Sequence, residues 1–396
     1  MKRTIKLAVA AAVALTSTAA FATNGDHLIG MGAKARGMGG IGIGMSHGAE
    51  TALSNPALIT SVKGTEISFG GTVFMPDVKT NVAGGGEVKS AADLSVIPEV
   101  AIAQKVSDNF YWGIGMFGVA GMGTDYRNTG KNMAMVTNLQ LMQFAVPLAY
   151  KADGLSIAIS PIVQYGSLDM NYMVPALMGA GSDFNSSTQG VAQDLGFGYT
   201  IGAAYEIDGL TLGASYKSAI DMEYKGQISK ASAQFSGFGM PQLSDNLEQP
   251  AEIGVGTSYT VDGHTFAADY KRIKWSDAKG YKDFGWDDQD VYIIGYQYSQ
   301  DGYALRAGYN HSKSPIKQQS GTGSTPLNLL NLLGFPATVE DHYTVGGSLS
   351  LNKATSLDLA FVYAPEVTDT FSIAPLGTIT TKHSQQAVTA QVNFNF

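Results

Sequence analysis

The last nine residues of the chain alternate strictly. Val388, Ala390, Val392, Phe394 and Phe396 fall on one face, and Thr389, Gln391, Asn393 and Asn395 on the other. Successive side chains of a strand point to opposite sides, so this period predicts a strand with one apolar and one polar face. The same period recurs upstream. Leu357, Leu359, Phe361 and Tyr363 alternate with Ser356 and Asp358, and Tyr303, Leu305, Ala307 and Tyr309 with Arg306 and Asn310. Further runs lie at 343–351, 292–298, 266–271 and 253–259.

The breaks between runs carry as much information as the runs. Short ones fall at 107–109, 152–154, 208–209, 262–263, 301–302 and 352–353, and most hold Asp, Asn or Gly. Those residues suit the positive φ of tight hairpin turns. Long breaks fall at 75–94, 120–136, 169–195, 227–250, 276–289, 314–340 and 365–382. Six short and seven long breaks alternate, which predicts fourteen strands, the first near 66–73 and the last ending at Phe396. An even number of antiparallel strands, with short turns at one end and long loops at the other, predicts an all-β, transmembrane, antiparallel β-barrel. Its apolar faces meet lipid, its polar faces line the lumen, and closure satisfies every backbone group in hydrocarbon. A soluble β-sandwich, the alternative, would bury the apolar faces instead.

Two segments do not alternate. Residues 23–64 hold nine glycines between Gly25 and Gly48. Such a segment is too small for its own core, so it is expected as a plug, or hatch, in the lumen; the other option is a flexible periplasmic tail. A short helix is expected over 47–54, with Ser46 as N-cap and Pro56 as its stop. Residues 1–22 read as a cleaved secretory signal, with Lys2, Arg3 and Lys6 before an apolar stretch and Ala20-Phe21-Ala22 at the cleavage site. The barrel then occupies 65–396, exported to the outer membrane of a Gram-negative-type bacterium.

Composition sharpens this. Charged residues are 15%, against about 25% in soluble domains, as expected of a chain facing lipid. A net charge of −8 argues against nucleic acid as a partner. The chain has no cysteine, which excludes disulfides and thiolate chemistry. The pairs His311-Ser312 and His383-Ser384 are adjacent, so each would point to opposite faces of a strand. No catalytic residue, metal or cofactor is therefore expected.

Several motifs resemble one family. Gly37-Met38-Gly39-Gly40, followed by Ala49-Glu50-Thr51-Ala52-Leu53-Ser54-Asn55-Pro56-Ala57, is similar to the hatch of the FadL outer-membrane transporters for long-chain fatty acids and other hydrophobic compounds. Gln249-Pro250-Ala251, Asp269-Tyr270 with Trp275-Ser276, Gly308-Tyr309-Asn310 with Ser314-Pro315, Phe335-Pro336-Ala337 and the terminal Phe396 extend the resemblance along the chain. It implies a hatch marked by Asn55, Pro56 and Ala57, and passive transport without cofactor. Ligand would be captured by extracellular loops, held in a lumenal pocket, and released sideways through a kink in the third strand beside the hatch. That strand holds Gly113, Gly115, Gly118 and Gly121, which weaken pairing and permit a bulge. Implied partners are a long-chain fatty acid or other hydrophobic small molecule, outer-membrane lipid, and the outer-membrane assembly machinery, which would read the C-terminal strand.

The loops and inward faces offer ligand contacts. Loop 314–340 contains Leu329, Leu330, Leu332 and Leu333 in an expected helix with Thr325 as cap and Pro326 in its first turn. Four such leucines cover more than one helical face, so one side is expected to stay exposed for an alkyl chain. Phe235 and Phe238 belong to loop 227–250, and Leu177, Met178 and Phe184 to loop 169–195. Among inward charges, Lys271 and Arg306 are candidate partners for a carboxylate, unless Asp269, Glu252 or Asp358 neutralises them. The competing functions are an outer-membrane lipid-modifying enzyme and a general porin or adhesin.

Overall fold

A computed structural model describes residues 23–173 and 190–396. The expected signal at 1–22 and the loop residues Leu177, Met178 and Phe184 lie outside the described residues. Fourteen wall strands follow one another: β1 (Thr65–Val82), β2 (Ser95–Lys105), β3 (Phe110–Asp125), β4 (Val136–Ala145, resuming at Leu148–Ala152), β5 (Leu155–Asn171), β6 (Ala192–Ile207), β7 (Leu210–Lys217), β8 (Glu252–Val261), β9 (His264–Ile273), β10 (Gln289–Gln300), β11 (Tyr303–Ser312), β12 (Asp341–Asn352), β13 (Thr355–Ser372) and β14 (Thr378–Asn395). Each pairs antiparallel with the next, and β14 returns to β1 with Val388 opposite Val73, closing the barrel.

The alternation in sequence becomes an inside and an outside. Phe197, Ile201, Ile253, Val255, Phe266, Ile294 and Leu305 stand exposed on the outer wall, while Gln164, Thr200, Asp269 and Asn310 are buried within. Exposed leucine, isoleucine or phenylalanine on every wall strand except β2 is stable only against hydrocarbon. The turns are tight for a local reason. Asp153, Asp208 and Asp262 have φ of 48–49°, and the glycine after each has φ of 81–82°. Two successive positive φ values match the twist of the flanking strands.

The structure corrects three expectations. The break at 365–382 is mostly strand: β13 and β14 stay paired up to Ser372↔Thr378, and a register shift between Ala364 and Val367 accommodates Pro365. Beyond the lipid band no apolar face is needed, so the period that marks a strand fades there. The helix over 47–54 shrinks to one 3₁₀ turn, Gly48–Ala52, without a side-chain cap. Pro56 starts the next turn, Pro56–Ser61, rather than stopping the previous one; proline suits a first helical position, where its missing N–H is not needed.

Residues 23–64 run inside the closed wall. Helix α1 (Gly32–Gly37) lies against β11–β14, the Gly48–Ala52 turn against β1–β3, and the Pro56–Ser61 turn against β4–β6. The long-loop end is filled by segments bearing α2 (Ile228–Ala233) and α3 (Ser324–Gly334).

A plugged lumen, a buried cavity and a split wall

The N-terminal segment sits close to the wall because the wall offers glycines where it passes. A Cβ on Gly213 would stand 1.8 Å from the Ile43 carbonyl oxygen, and one on Gly308 2.1 Å from the Met38 carbonyl carbon. A Cβ on Gly202 would lie 2.2 Å from Asn55 Oδ1, and one on Gly256 2.5 Å from the Gly44 nitrogen. Polar contacts then fix the position. The Asp269 carboxylate accepts the backbone N–H groups of Gly42, Ile43 and Gly44 at 2.8, 2.8 and 3.0 Å. Asn55 accepts from the Ala57 N–H at 3.2 Å and donates to the carbonyls of Ile43 at 2.9 Å and Ala203 at 3.1 Å. The Asn55-Pro56-Ala57 triplet is thus a turn, a cap and a wall anchor together.

On the opposite side the wall is split. β2 and β3 pair from Lys105↔Tyr111 up to Glu99↔Phe117 and no further. Above that rung Ser95–Pro98 stay bonded to β1. β3 shifts register between Gly118 and Ala120 and continues beside β4 alone. Part of the lost pairing is supplied from inside: His27 pairs with Ala120, and the Gly121 N–H donates to the Asp26 carbonyl at 3.1 Å. Of the four glycines singled out in β3, Gly113 and Gly115 lie in the paired half, Gly118 sits at the bulge and Gly121 against the N-terminal strand. At the foot of the split the Arg36 guanidinium pairs with Glu99 and donates to Thr72 Oγ1 at 2.5 Å.

Between the segment and the wall lies a cavity of about 80 Å³, lined by His27, Leu28, Ile29, Val119, Lys217 and Lys271 among others. Its charges are grouped around Glu252. Lys217 Nζ and His27 Nδ1 lie 3.6 and 3.2 Å from Oε1, and Lys271 Nζ lies 3.6 Å from Oε2. Two ammonium groups share one carboxylate, so the group carries spare positive charge. Behind it, Gln249 Oε1 is 2.6 Å from His27 Nε2, and the Tyr281 hydroxyl donates to Asp26 at 2.5 Å. Burial pushes the Asp26 carboxyl above its ordinary range.

The two candidate cations part company here. Lys271 lines the cavity. Arg306 does not; its guanidinium donates to Gln297 at 2.6 Å and Ser348 at 2.7 Å and lies 3.7 Å from Asp358. Asp358 belongs to a second group around Lys34, whose Nζ lies 3.3 Å from Glu50 and 3.7 Å from Glu66.

The leucines of α3 overturn the expected exposure. Leu329, Leu330, Leu332 and Leu333 are all buried, none more than 2% exposed. α3 is seated in the mouth of the barrel, so both of its apolar sides find cover. Its last carbonyls are met by wall hydroxyls: Thr381 donates to Leu332, Thr124 to Leu333 and Thr137 to Gly334. A helix end buried without such partners would be costly. Thr325 is not the cap; it donates to the Ala374 carbonyl, and Gly323 holds the cap position. Phe235 is buried and stacks on Tyr172 at 5.4 Å, while Phe238 is half-buried at the rim of the same apolar cluster. Deeper in, Trp275, Tyr281 and Trp286 pack mutually with centroids 4.6–5.1 Å apart.

Sequence reasoning missed His27, Leu28, Ile29, Arg36, Glu99 and Ile97. Pro98 was the available signal. A proline inside an alternating run belongs on an edge, and in a closed barrel an edge marks a place where closure fails.

Comparison with known proteins agrees with this geometry. The family model "Outer membrane protein transport protein (OMPP1/FadL/TodX)" matches residues 8–396. A 47 kDa outer membrane protein of Pasteurella multocida is 24% identical, the alignment covering 90% of this chain and 92% of that one. The Pseudomonas putida toluene transporter TodX superposes with a TM-score of 0.71 at 20% identity, over 93% of this chain and 99% of that one. A Pseudomonas aeruginosa FadL homologue gives 0.70 at 16% identity, over 94% and 100%. With the family model spanning nearly its whole length, the chain belongs to the outer-membrane transport protein family OMPP1/FadL/TodX, whose members are channels and not enzymes.

Proposed function

We propose that the protein carries hydrophobic compounds passively across the outer membrane, with long-chain fatty acids as the leading class. Residues 23–64 act as the hatch. The long loops gather ligand, the cavity beside Lys217 and Lys271 receives its polar end, and the split between β2 and β3 releases it sideways into the bilayer. The observation that carries this reading is the adjacency of cavity and split: Leu28, Ile29 and Val119 line the one and border the other. Spare positive charge beside Glu252 suits a carboxylate, since hydrogen bonds to an ionised partner are about twice as strong as neutral ones. The cavity, at about 80 Å³, is small beside a long alkyl chain. The alkyl chain must therefore displace apolar side chains as it moves, and no cofactor or nucleotide is needed.

A second reading is favoured by the Trp275–Tyr281–Trp286 cluster. Aromatic pairs at such distances add about 0.5–1.5 kcal/mol beyond burial, which suits a monoaromatic hydrocarbon, the cargo named for the toluene transporter relatives. Uptake by cells carrying Lys217→Ala/Lys271→Ala separates the two. A fatty acid should enter about tenfold more slowly than in wild type, and toluene at the wild-type rate. Equal rates for the acid in both proteins would remove the carboxylate site.

A further inference from the structure

One side chain of the wall, Ile97, reaches across the split. Three residues of β2, Val96–Pro98, have no ladder partner on their β3 side, a height of roughly 10 Å at about 3.3 Å per residue. The wall reseals above it, where Asp125 exchanges hydrogen bonds with the Ala91 N–H at 2.8 Å and with Ser90 Oγ at 2.9 Å. Within the opening, Ile97 turns toward β3. Its Cγ2 lies 2.5 Å, and its Cβ 3.8 Å, from where a Cβ on Gly118 would stand. Gly118 lacks a side chain at the one place where the Ile97 methyl occupies that volume. Behind Ile97 pack Leu28, Ile29 and Phe74, and Leu28 and Ile29 are themselves the cavity lining.

We propose that Ile97 is the side chain that sets the width of the lateral exit, and with it the cross-section of the molecules the protein releases. This rests on the lateral-exit reading above. The backbone around Ile97 is held in place: Ser95–Pro98 are laddered to β1, and the next residue, Glu99, is paired with buried Arg36. What occupies the opening is therefore the side chain. A β-branched residue is stiff at χ1, so Ile97 acts as a fixed filler and its volume, not its motion, defines the gap. A slender alkyl chain passes with local displacement of one methyl. A branched or polycyclic ligand needs more room than the gap offers.

The chain has no cysteine, which permits a direct experiment. Cysteines bridge best at a Cβ separation of about 3.8 Å, the separation of positions 97 and 118. Uptake would be measured for a linear fatty acid and for a polycyclic hydrocarbon, with heat-modifiable migration as the check on folding. Oxidised Ile97→Cys/Gly118→Cys should lose uptake of both, and reductant should restore it. Ile97→Ala should raise polycyclic uptake about tenfold, the scale on which apolar pockets discriminate size, with little change for the linear acid. Ile97→Ala/Gly118→Val refills the gap from the other strand and should return the wild-type preference. Ile97→Val, which removes one methyl, should move the same way by less. If the oxidised cross-link transports normally, ligand leaves elsewhere, and the exit reading falls together with this inference. If the cross-link blocks but Ile97→Ala keeps the wild-type preference, the exit stands and Ile97 does not set its width.

Discussion

The two sides of the lumen use glycine in opposite ways. Along β6–β12 the wall glycines admit backbone: Gly213, Gly256 and Gly308 lie against Ile43, Gly44 and Met38. At the split, Gly118 admits a side chain, that of Ile97. Backbone against backbone brings directional hydrogen bonds, as at Asp269 and Asn55, and a contact that cannot give way by rotating a bond. Side chain against glycine brings only dispersion and apolar burial, which a ligand can replace with equivalent contacts of its own. On the proposed lateral-exit reading, one side is a clamp and the other a gate, built from the same residue type.

The clamp side is the one most easily destroyed. Gly213→Val would drive a side chain into the Ile43 carbonyl, a clash that neither rigid backbone can relieve and that costs more than the usual 1–3 kcal/mol of overpacking. The expected outcome is displacement of residues 23–64 and a large rise in single-channel conductance in planar bilayers. Gly347→Val is the control. Its nearest neighbour would be the Ala304 carbonyl oxygen at 3.2 Å, it shares the outward row of Val345 and Leu349, and conductance should not change. Equal behaviour of the two variants would mean that the wall glycines do not hold the plug.

Next in size is the anchor between the two sides. Arg36 lies on α1 but pairs with Glu99, the last β2 residue below the split. Removing one partner of a buried pair costs about 3–5 kcal/mol, because the other charge stays buried alone. Arg36→Ala should lower the urea midpoint accordingly, and Arg36→Ala/Glu99→Gln should recover much of the loss. No recovery would show that Arg36 contributes packing rather than charge.

How much of this was legible beforehand depends on which physics wrote it. The barrel was readable because lipid on one side and a polar lumen on the other impose a period of two, and Asp-Gly turns mark its short ends. The extensions of β13 and β14 past Ala364 were not, since strands outside lipid carry no such constraint. The Asn55-Pro56-Ala57 turn was visible as a motif, but its bonds to Ile43 and Ala203 arise from the fold. The burial of Leu329–Leu333 was missed because a helix read alone has no mouth of a barrel to fill. Lys271 and Arg306 look alike in sequence; only the neighbourhood of Glu252 and of Ser348 separates the cavity lysine from the wall arginine.

A third test probes the clamp's hydrogen bonds without a clash. Asp269→Asn keeps one acceptor oxygen but removes the charge that receives three N–H groups. Hydrogen bonds to a charged group contribute about 1.5–3 kcal/mol, and part of that should disappear. Proteolysis of residues 36–48 in detergent should become faster, while Asp290→Asn, on the outer side of β10, should leave it unchanged. Equal rates would place the hold on this segment in the glycine contacts alone.

The smallest expected effect is a pH dependence at the group around Lys34, where residues 23–64 meet β1, β13 and β14. Burial pushes the Glu50 carboxyl up to about 7, against the opposing pull of Lys34 3.3 Å away. Its ordinary value is 4.5, so between those two pH values the folded protein binds more protons than the unfolded chain. Stability then falls as pH rises through that window. The contribution is fully present below about 4.5 and lost above about 7, and the raised Lys34 adds no slope there because its own window lies above 10.5. A shift of this size is worth at most about 3 kcal/mol at 1.36 kcal/mol per unit, and relaxation around the lysine should reduce it to about 1–2 kcal/mol. Glu50→Gln keeps the shape, removes the titration, and should flatten the difference in urea midpoint between pH 5 and pH 8. Ile97 and the side chains packed behind it, Leu28 and Ile29, do not titrate. Ile97→Ala should therefore keep the wild-type pH dependence, and a flattened profile in that variant would mean that the split and the Lys34 group are one cooperative unit.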